Sequence, residues 1–157
     1  MTRAVRAAAL LAFAFAFDAA AIGCNVSAVS LAFGAYDPFR SAHTDSSALI
    51  TVTCLGRRGQ MFAYNISLDE GKSGAFATRR MRAPVGTTLN YNLYVTSSRS
   101  VIWGDGNSGT SIVADSVKLS SSHAQATRQY PVHGRVFARQ NARVGVYTDT
   151  IVVTLNF

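Results

Sequence analysis

The sequence is short of cysteine, proline and charged residues, and each shortage excludes a class of protein. Only 2 of its 157 residues are cysteine and only 3 are proline. Two cysteines are too few for a small disulfide scaffold or a four-ligand zinc knuckle. Charged residues make up 15% of the chain and hydrophobic residues 48%, which excludes an intrinsically disordered protein. The length allows one domain, or two very small ones.

Acidic residues are fewer than basic residues, and some of the basic residues are clustered. Fifteen Lys and Arg against eight Asp and Glu give a net charge of +7. The densest basic cluster contains Arg79, Arg80 and Arg82. These arginines are candidate contacts for an acidic polysaccharide, a nucleic acid or an anionic cell surface, although such a cluster is also typical of a solvated loop. Aromatic residues that stack on bases are absent nearby, so no specific nucleic-acid partner is expected.

Residues 1–21 have the features of an export signal. Arg3 and Arg6 precede the apolar run 7–17, and three alanines end at Ala21. The run is shorter than the roughly 20 residues of a membrane-spanning helix, and small residues suit signal peptidase. We therefore predict cleavage after Ala21, which leaves a single domain of residues 22–157. Lipidation of Cys24 and an uncleaved anchor are the alternatives.

Export would place both cysteines in an oxidising compartment. In that setting Cys24 and Cys54 are predicted to form a disulfide. Closing a loop of this size contributes on the order of 3–4 kcal/mol in the chain-entropy model.

The region after the signal is dominated by alternating apolar and polar residues, the pattern of short β-strands. The alternation covers these segments: 29–33, 50–54, 62–68, 89–95, 130–136 and 150–157. Turn-forming residues lie between them, as in 36–38, 69–74 and 104–109. The pattern predicts an all-β protein with a single antiparallel β-sandwich of six or seven strands.

The last predicted strand runs to Phe157, where the sequence stops. Without a later strand to pair with it, one sheet edge and part of the core would stay open and would attract a strand from another chain. The alternative is that this strand is central and paired on both sides.

Signals for catalysis or metal binding are weak, so we expect neither an enzyme nor a cofactor. His43, Asp45 and Ser46 are adjacent in sequence, which is not the geometry of a catalytic triad. The segment 105–107 resembles a fragment of a calcium loop, but it lacks the spaced oxygen ligands and is better explained as a turn. Trp103 is a candidate sugar platform, although a lone tryptophan beside a glycine more often packs in the core.

Several segments, in order along the chain, resemble the motifs of one family. They are Cys24 with 31–38 (LAFGAYDP), 50–54 (ITVTC), 89–94 (LNYNLY), 103–106 (WGDG), 133–136 (HGRV), Gln140 and 147–157 (YTDTIVVTLNF). Together they resemble the spore coat protein U domain, the subunit fold of archaic, Csu-type chaperone–usher pili.

The resemblance implies an immunoglobulin-like sandwich that lacks its last strand. In that family a periplasmic chaperone donates a strand, and the outer-membrane usher exchanges it for a strand of another pilus subunit. The implied acceptor cleft and chaperone contact is formed by Ile151, Val153, Leu155 and Phe157, with the Phe157 carboxylate held by the chaperone.

A polymerising subunit of this family carries a donor strand ahead of its first cysteine. Cleavage after Ala21 would leave only Ile22 and Gly23 there, which predicts a subunit near the pilus tip, with a host or abiotic surface as a further partner. The alternatives are a self-contained spore or cell-surface coat protein and a secreted carbohydrate-binding module.

Overall fold

The computed structural model describes residues 22–84 and 86–157, which form eight β-strands and one turn of 3-10 helix. The strands are β1 (Gly23–Ala28), β2 (Thr44–Leu55), β3 (Met61–Leu68), β4 (Arg79–Arg82), β5 (Thr88–Tyr94), β6 (Val113–Lys118), β7 (Gln125–Val136) and β8 (Val153–Asn156), with the 3-10 turn at Gly71–Ser73. Within these residues no helix has the length and apolarity needed to cross a membrane. The predicted export signal, residues 1–21, lies outside the described part of the chain.

The strands form two antiparallel sheets that pack face to face. The larger sheet has the order β1-β2-β7-β5-β4, and the smaller one has the order β6-β3-β8. The longest pairing joins β2 to β7 over their full twelve residues, from Thr44 opposite Val136 to Leu55 opposite Gln125. The prediction of an all-β antiparallel sandwich is confirmed.

The core lies between the sheets and collects one face of each long strand. Along β2 the residues Ile50, Val52 and Cys54 are buried, and along β3 Tyr64, Ile66 and Leu68 are buried. The period of two therefore separates core from surface residues as predicted. Trp103 is fully buried between them, and its Nε1 donates a hydrogen bond of 3.0 Å to the Ile66 carbonyl. Its side chain is thus part of the core and offers no surface to a sugar.

A disulfide joins Cys24 of β1 to Cys54 of β2. The two cysteines are directly opposite each other in the β1–β2 pairing, which continues to Ala28 opposite Ile50. The predicted disulfide is therefore present, and it fixes the edge strand of the larger sheet to its neighbour.

The predicted strand over residues 29–33 is wrong. Val29 still donates to the Leu49 carbonyl at 3.0 Å, but β1 ends at Ala28 and residues 29–33 form no ladder. The alternation of Leu31 and Phe33 has a different cause, since both side chains lie against Gly134, where an added Cβ would come within 2.7 Å of the Phe33 ring. The apolar period reflects packing against the sheet rather than pairing within it.

Three strands were missing from the predicted set, and the last strand is shorter than predicted. One of the three is β1 at Gly23–Ala28, which precedes the segment 29–33 that was predicted instead. Arg79–Arg82 forms β4 on the larger sheet, and Val113–Lys118 forms β6 on the smaller sheet. Only Val153–Asn156 pairs as β8, although the alternation begins at Thr150. β4 and β6 lack the sustained apolar alternation by which the predicted strands were identified, and β1 is only six residues long.

Candidate functional site

The most unusual feature of the sandwich is the open edge of β8. This strand pairs with β3 on one side, from Leu68 opposite Val153 to Asn65 opposite Asn156. It is the last strand of its sheet, and no strand of residues 22–84 and 86–157 pairs with its other side. An unpaired edge presents main-chain donors and acceptors to an incoming strand.

Main-chain groups of Val153 and Leu155 point toward this open edge. The main-chain amide of Asp69 donates to the Val152 carbonyl at 3.1 Å, so the main-chain groups of residue 152 point toward β3. Because bonded and non-bonded pairs alternate in an antiparallel ladder, residues 154 and 156 also bond toward β3, while 153 and 155 face the other way. The edge therefore offers a regular series of donors and acceptors.

A cleft of about 490 Å³ lies next to this edge, between the two sheets. Its lining is mostly apolar and comes from both sheets and from the extended segment after β1. The principal apolar residues that line it are Leu31, Phe33, Ile50, Leu68, Met81, Leu93, Val132, Ile151 and Val153. An apolar cleft beside an unpaired strand edge is the combination needed to bind a strand, since the edge bonds its main chain and the cleft receives alternate side chains.

Two aspartates fix the chain where it enters β8. Asp69 Oδ1 accepts hydrogen bonds from the amides of Gly71 and Val152, at 3.2 and 2.9 Å. Asp149 Oδ1 accepts from the Lys72 amide at 3.1 Å, and its Oδ2 accepts from the Tyr91 hydroxyl at 2.8 Å. These bonds hold residues 149–152 in place and thereby orient Ile151 toward the cleft.

Tyr91 connects this polar cluster to the core. Its ring packs edge-on against Phe33, with ring centroids 5.9 Å apart. Burial of the hydroxyl, followed by its hydrogen bond to Asp149, raises the pKa of Tyr91 far above its ordinary value. The hydroxyl thus serves as a hydrogen-bond donor to Asp149 beside the cleft.

The four residues predicted to form the acceptor cleft share one face of the strand but not one environment. Ile151 and Val153 line the cleft. Leu155 is half-buried and packs against the core. Phe157 is 64% exposed, and its ring lies over Gly23 at the start of β1. The structure thus brings Ile151 and Val153 together at the cleft and places Phe157 beyond its end.

The three candidate polyanion contacts are also divided. Arg80 and Arg82 are exposed on β4, whereas the side chain of Arg79 is fully buried. Arg79 donates to the Asp69 carbonyl through Nε and Nη2, to the Trp103 carbonyl through Nη2 and to Asn92 Oδ1 through Nη1, at 2.7–3.0 Å. Its assignment as a polyanion contact is corrected, because every face of the guanidinium is enclosed.

The residues considered for catalysis and for calcium have other partners. His43 Nδ1 accepts from the Ala138 amide at 3.0 Å, and Ser46 donates to the Ala32 carbonyl at 2.6 Å. Asp45 is bonded to Arg135 at 2.8 and 2.9 Å. Asp105 accepts from the Asn107 amide at 2.9 Å, the arrangement of an Asx turn.

Several motif residues that carried no predicted role serve as structural ties. The Gln140 side chain accepts from the Asn90 amide at 2.6 Å and donates to the carbonyls of Asn90 and Phe137, each at 2.8 Å. The main-chain amide of Gln140 donates to the Tyr36 hydroxyl at 2.8 Å. The roles of Tyr91, Asp149 and Gln140 require knowledge of which strands are neighbours, so local patterns in the sequence give no signal for them.

Comparison with known proteins agrees with this geometry. The chain is 30% identical over 147 residues to "Protein U" of Myxococcus xanthus, a match that covers 88% of this chain and 78% of the relative. Among solved structures it resembles the CsuC–CsuE chaperone–tip adhesion subunit pre-assembly complex from the archaic chaperone–usher Csu pili of Acinetobacter baumannii. The TM-score is 0.54 at 22% identity. That match covers 85% of this chain but only 39% of the matched chain, so this protein spans about two fifths of its length.

The family comparison covers nearly the whole chain. A family model described as the Spore Coat Protein U domain matches residues 9–154. Together with the all-β sandwich, its disulfide and its likeness to a pilus subunit, this match shows that the chain belongs to the spore coat protein U domain family, the fold of Csu-type pilus subunits.

Proposed function

We propose that this protein is an exported, non-enzymatic structural or adhesive subunit of a chaperone–usher surface pilus, and that it accepts a β-strand along β8. The observation that carries the proposal is the unpaired edge of β8 beside an apolar cleft of about 490 Å³. The expected strand donors are a periplasmic chaperone and then, after exchange at an outer-membrane usher, a neighbouring subunit. The export signal and the periplasmic route belong to the same proposal.

A tip-proximal position is the finer part of the proposal. The similar structure contains a chaperone with a tip adhesion subunit, which supports both partners for this chain. Residues 23–28 are engaged in β1, paired with β2 and held by the Cys24–Cys54 disulfide, so this segment is not free to complete another subunit.

The proposal is tested by co-expression with a periplasmic chaperone of an archaic chaperone–usher system, followed by pull-down. Val153→Ala together with Leu155→Ala removes inward apolar side chains of β8, and each deletion costs roughly 2–4 kcal/mol of buried contact where the side chain is enclosed. We expect the wild type to be recovered in a 1:1 complex and the double variant to be lost from it.

The matched control changes the outward residues of the same strand, Val152→Ala and Thr154→Ala, both of which are exposed. This control should be captured like the wild type. N-terminal sequencing of the captured chain tests cleavage after Ala21. A stable monomer that folds without the chaperone, or capture of the inward double variant, would contradict the proposal and favour a self-contained coat protein.

A further inference from the structure

One end of the sandwich brings together two loops that the strand-acceptor proposal does not use. The loops are residues 34–43, before β2, and 137–147, after β7. They meet at that end because the start of β2 pairs with the end of β7, Thr44 opposite Val136. The amide of Gln140 donates to the Tyr36 hydroxyl at 2.8 Å, and that of Ala138 to His43 Nδ1 at 3.0 Å. We call these two loops the basic pole.

Large apolar side chains project into solvent from the basic pole. Phe39 is 93% exposed, Val144 is fully exposed and Val146 is 75% exposed. Phe39 is held in this position by a tight turn, since its amide donates to Asp37 Oδ1 at 2.9 Å. Phe39 lies on the first loop and Val144 and Val146 on the second, and none of them lines the cleft beside β8.

Arginines flank these apolar tips. Arg40 follows Phe39, and Arg139 and Arg143 precede Val144; all three are exposed. Ion pairs in the described part of the chain involve Arg99 and Arg135 with Asp45, so the arginines of the basic pole are without a carboxylate partner there. Asp37 is the one acidic residue in the two loops, and it is occupied in its own turn.

We propose that the basic pole binds the surface of a lipid bilayer that carries anionic headgroups. Arginines next to exposed apolar residues match such a surface, because the guanidinium groups pair with headgroup phosphates while the apolar tips enter the boundary of the acyl chains. The excess of basic over acidic residues in the chain adds long-range attraction to the same surface.

The form of the pole favours a bilayer over other anionic partners. A stable protein interface needs a contiguous complementary patch of roughly 800 Å² on each side, whereas the exposed apolar groups here are three side chains on two loops. A soluble polyanion would use the arginines but would give Phe39, Val144 and Val146 nothing to contact. A bilayer requires no matching shape, so apolar side chains on two loops and their flanking charges can act together.

The test is binding of the exported chain to vesicles of equimolar phosphatidylglycerol and phosphatidylcholine, with phosphatidylcholine vesicles as the lipid control. The first variant combines Arg40→Gln, Arg139→Asn and Arg143→Gln, with asparagine at 139 because its φ of 56° is left-handed. Each arginine near an anionic surface contributes about fivefold to binding, so this triple variant should bind about 100-fold more weakly.

The matched control removes the same charge from exposed residues elsewhere: Arg57→Gln, Arg58→Gln and Arg128→Gln. It should weaken binding less than about threefold.

A second variant tests the apolar tips by combining Phe39→Ser, Val144→Ser and Val146→Ser. Binding should fall at least about tenfold, while the control Met61→Ser, at a residue 63% exposed on β3, should bind normally.

The proposal is overturned if the protein does not bind phosphatidylglycerol vesicles or if both arginine variants lose binding equally. It is likewise overturned if the serine variant binds as tightly as wild type and soluble polyphosphate competes for the same arginines, which would identify a soluble polyanion as the partner.

Discussion

The side chain of Arg79, on β4, is fully buried. It stands in a run of basic residues typical of a solvated surface, yet its guanidinium bonds two main-chain carbonyls and Asn92 inside the protein. Burial lowers the pKa of Arg79, and nearby acidic groups oppose that effect. The guanidinium donates several hydrogen bonds at once. They connect the residue after β3, strand β5 and the segment around Trp103.

Replacing Arg79 should therefore destabilise the fold far more than replacing its neighbour. Arg79→Ala leaves buried carbonyls and the Asn92 side chain without partners, and each unsatisfied group costs about 1–3 kcal/mol. We expect a loss of more than about 3 kcal/mol in the free energy of unfolding, measured by urea denaturation. The exposed Arg80→Ala should stay within about 0.5 kcal/mol of wild type. Equal losses for the two variants would show that the Arg79 bonds contribute nothing.

Asp45 makes stability depend on pH. The hydrogen bonds from Arg135, followed by the charges of Arg135 and Arg99, lower the pKa of Asp45. A carboxyl whose pKa is lower in the folded state stabilises the fold above its unfolded value of about 3.9, and that contribution is lost as pH falls through the folded pKa. The urea midpoint should thus decrease between pH 6 and pH 3, and Asp45→Asn should reduce this decrease.

The double-mutant comparison separates Asp45 from the other carboxylates. In an Arg135→Gln background most of the interaction is already removed, so Asp45→Asn should change the pH dependence little further. An undiminished effect of Asp45→Asn in that background would assign the dependence to other partners.

At the scale of elements, the two edges of β8 differ: one is hydrogen-bonded to β3 and the other is unpaired. The Val153 amide faces the open edge, whereas the Thr154 amide faces β3. Val153→Pro removes a donor that the folded chain does not use internally, and we expect the sandwich to survive while strand capture by the chaperone is lost. The readouts are the urea transition and the pull-down. Thr154→Pro removes a ladder bond and leaves its acceptor on β3 without a partner, so it should destabilise the chain itself by about 1–3 kcal/mol. Normal capture of Val153→Pro would mean that the incoming strand does not pair with this edge.

Elements with a sustained period of two were predictable, and the exceptions have physical reasons. β2, β3 and β7 bury one full face, so their alternation identified them. β4 is predominantly arginine, and one of those arginines is buried through hydrogen bonds rather than hydrophobicity. Residues 29–33 alternate because they pack on Gly134, which local sequence cannot distinguish from pairing. Of the cleft, the β8 side was predictable from its pattern, but the contributions of Leu31, Met81 and Val132 depend on tertiary contacts.

At the scale of the whole molecule, the Cys24–Cys54 disulfide holds an entire edge strand in place. Its loop spans a sequence separation of 30, so reduction should lower the free energy of unfolding by about 3–4 kcal/mol. Urea denaturation with and without dithiothreitol measures this loss. A Cys24→Ala/Cys54→Ala variant serves as the control and should show no response to the reductant. Identical transitions for the oxidised and reduced wild type would contradict the prediction.

The placement of Arg79 also has a consequence for the order in which the chain folds. Its bonds reach 10 residues back to Asp69 and 24 residues on to Trp103, so this cluster of bonds, which we call the hub, closes only short loops. The pairing of β3 with β8 joins residues as far apart as Asn65 and Asn156, and that of β2 with β7 is also long-range. Loop-closure entropy rises with separation, so we expect the hub to form early and β8 to dock late. The unpaired edge of β8 is then the last part of the molecule to become ordered, and it is still unoccupied when the rest of the sandwich is already rigid.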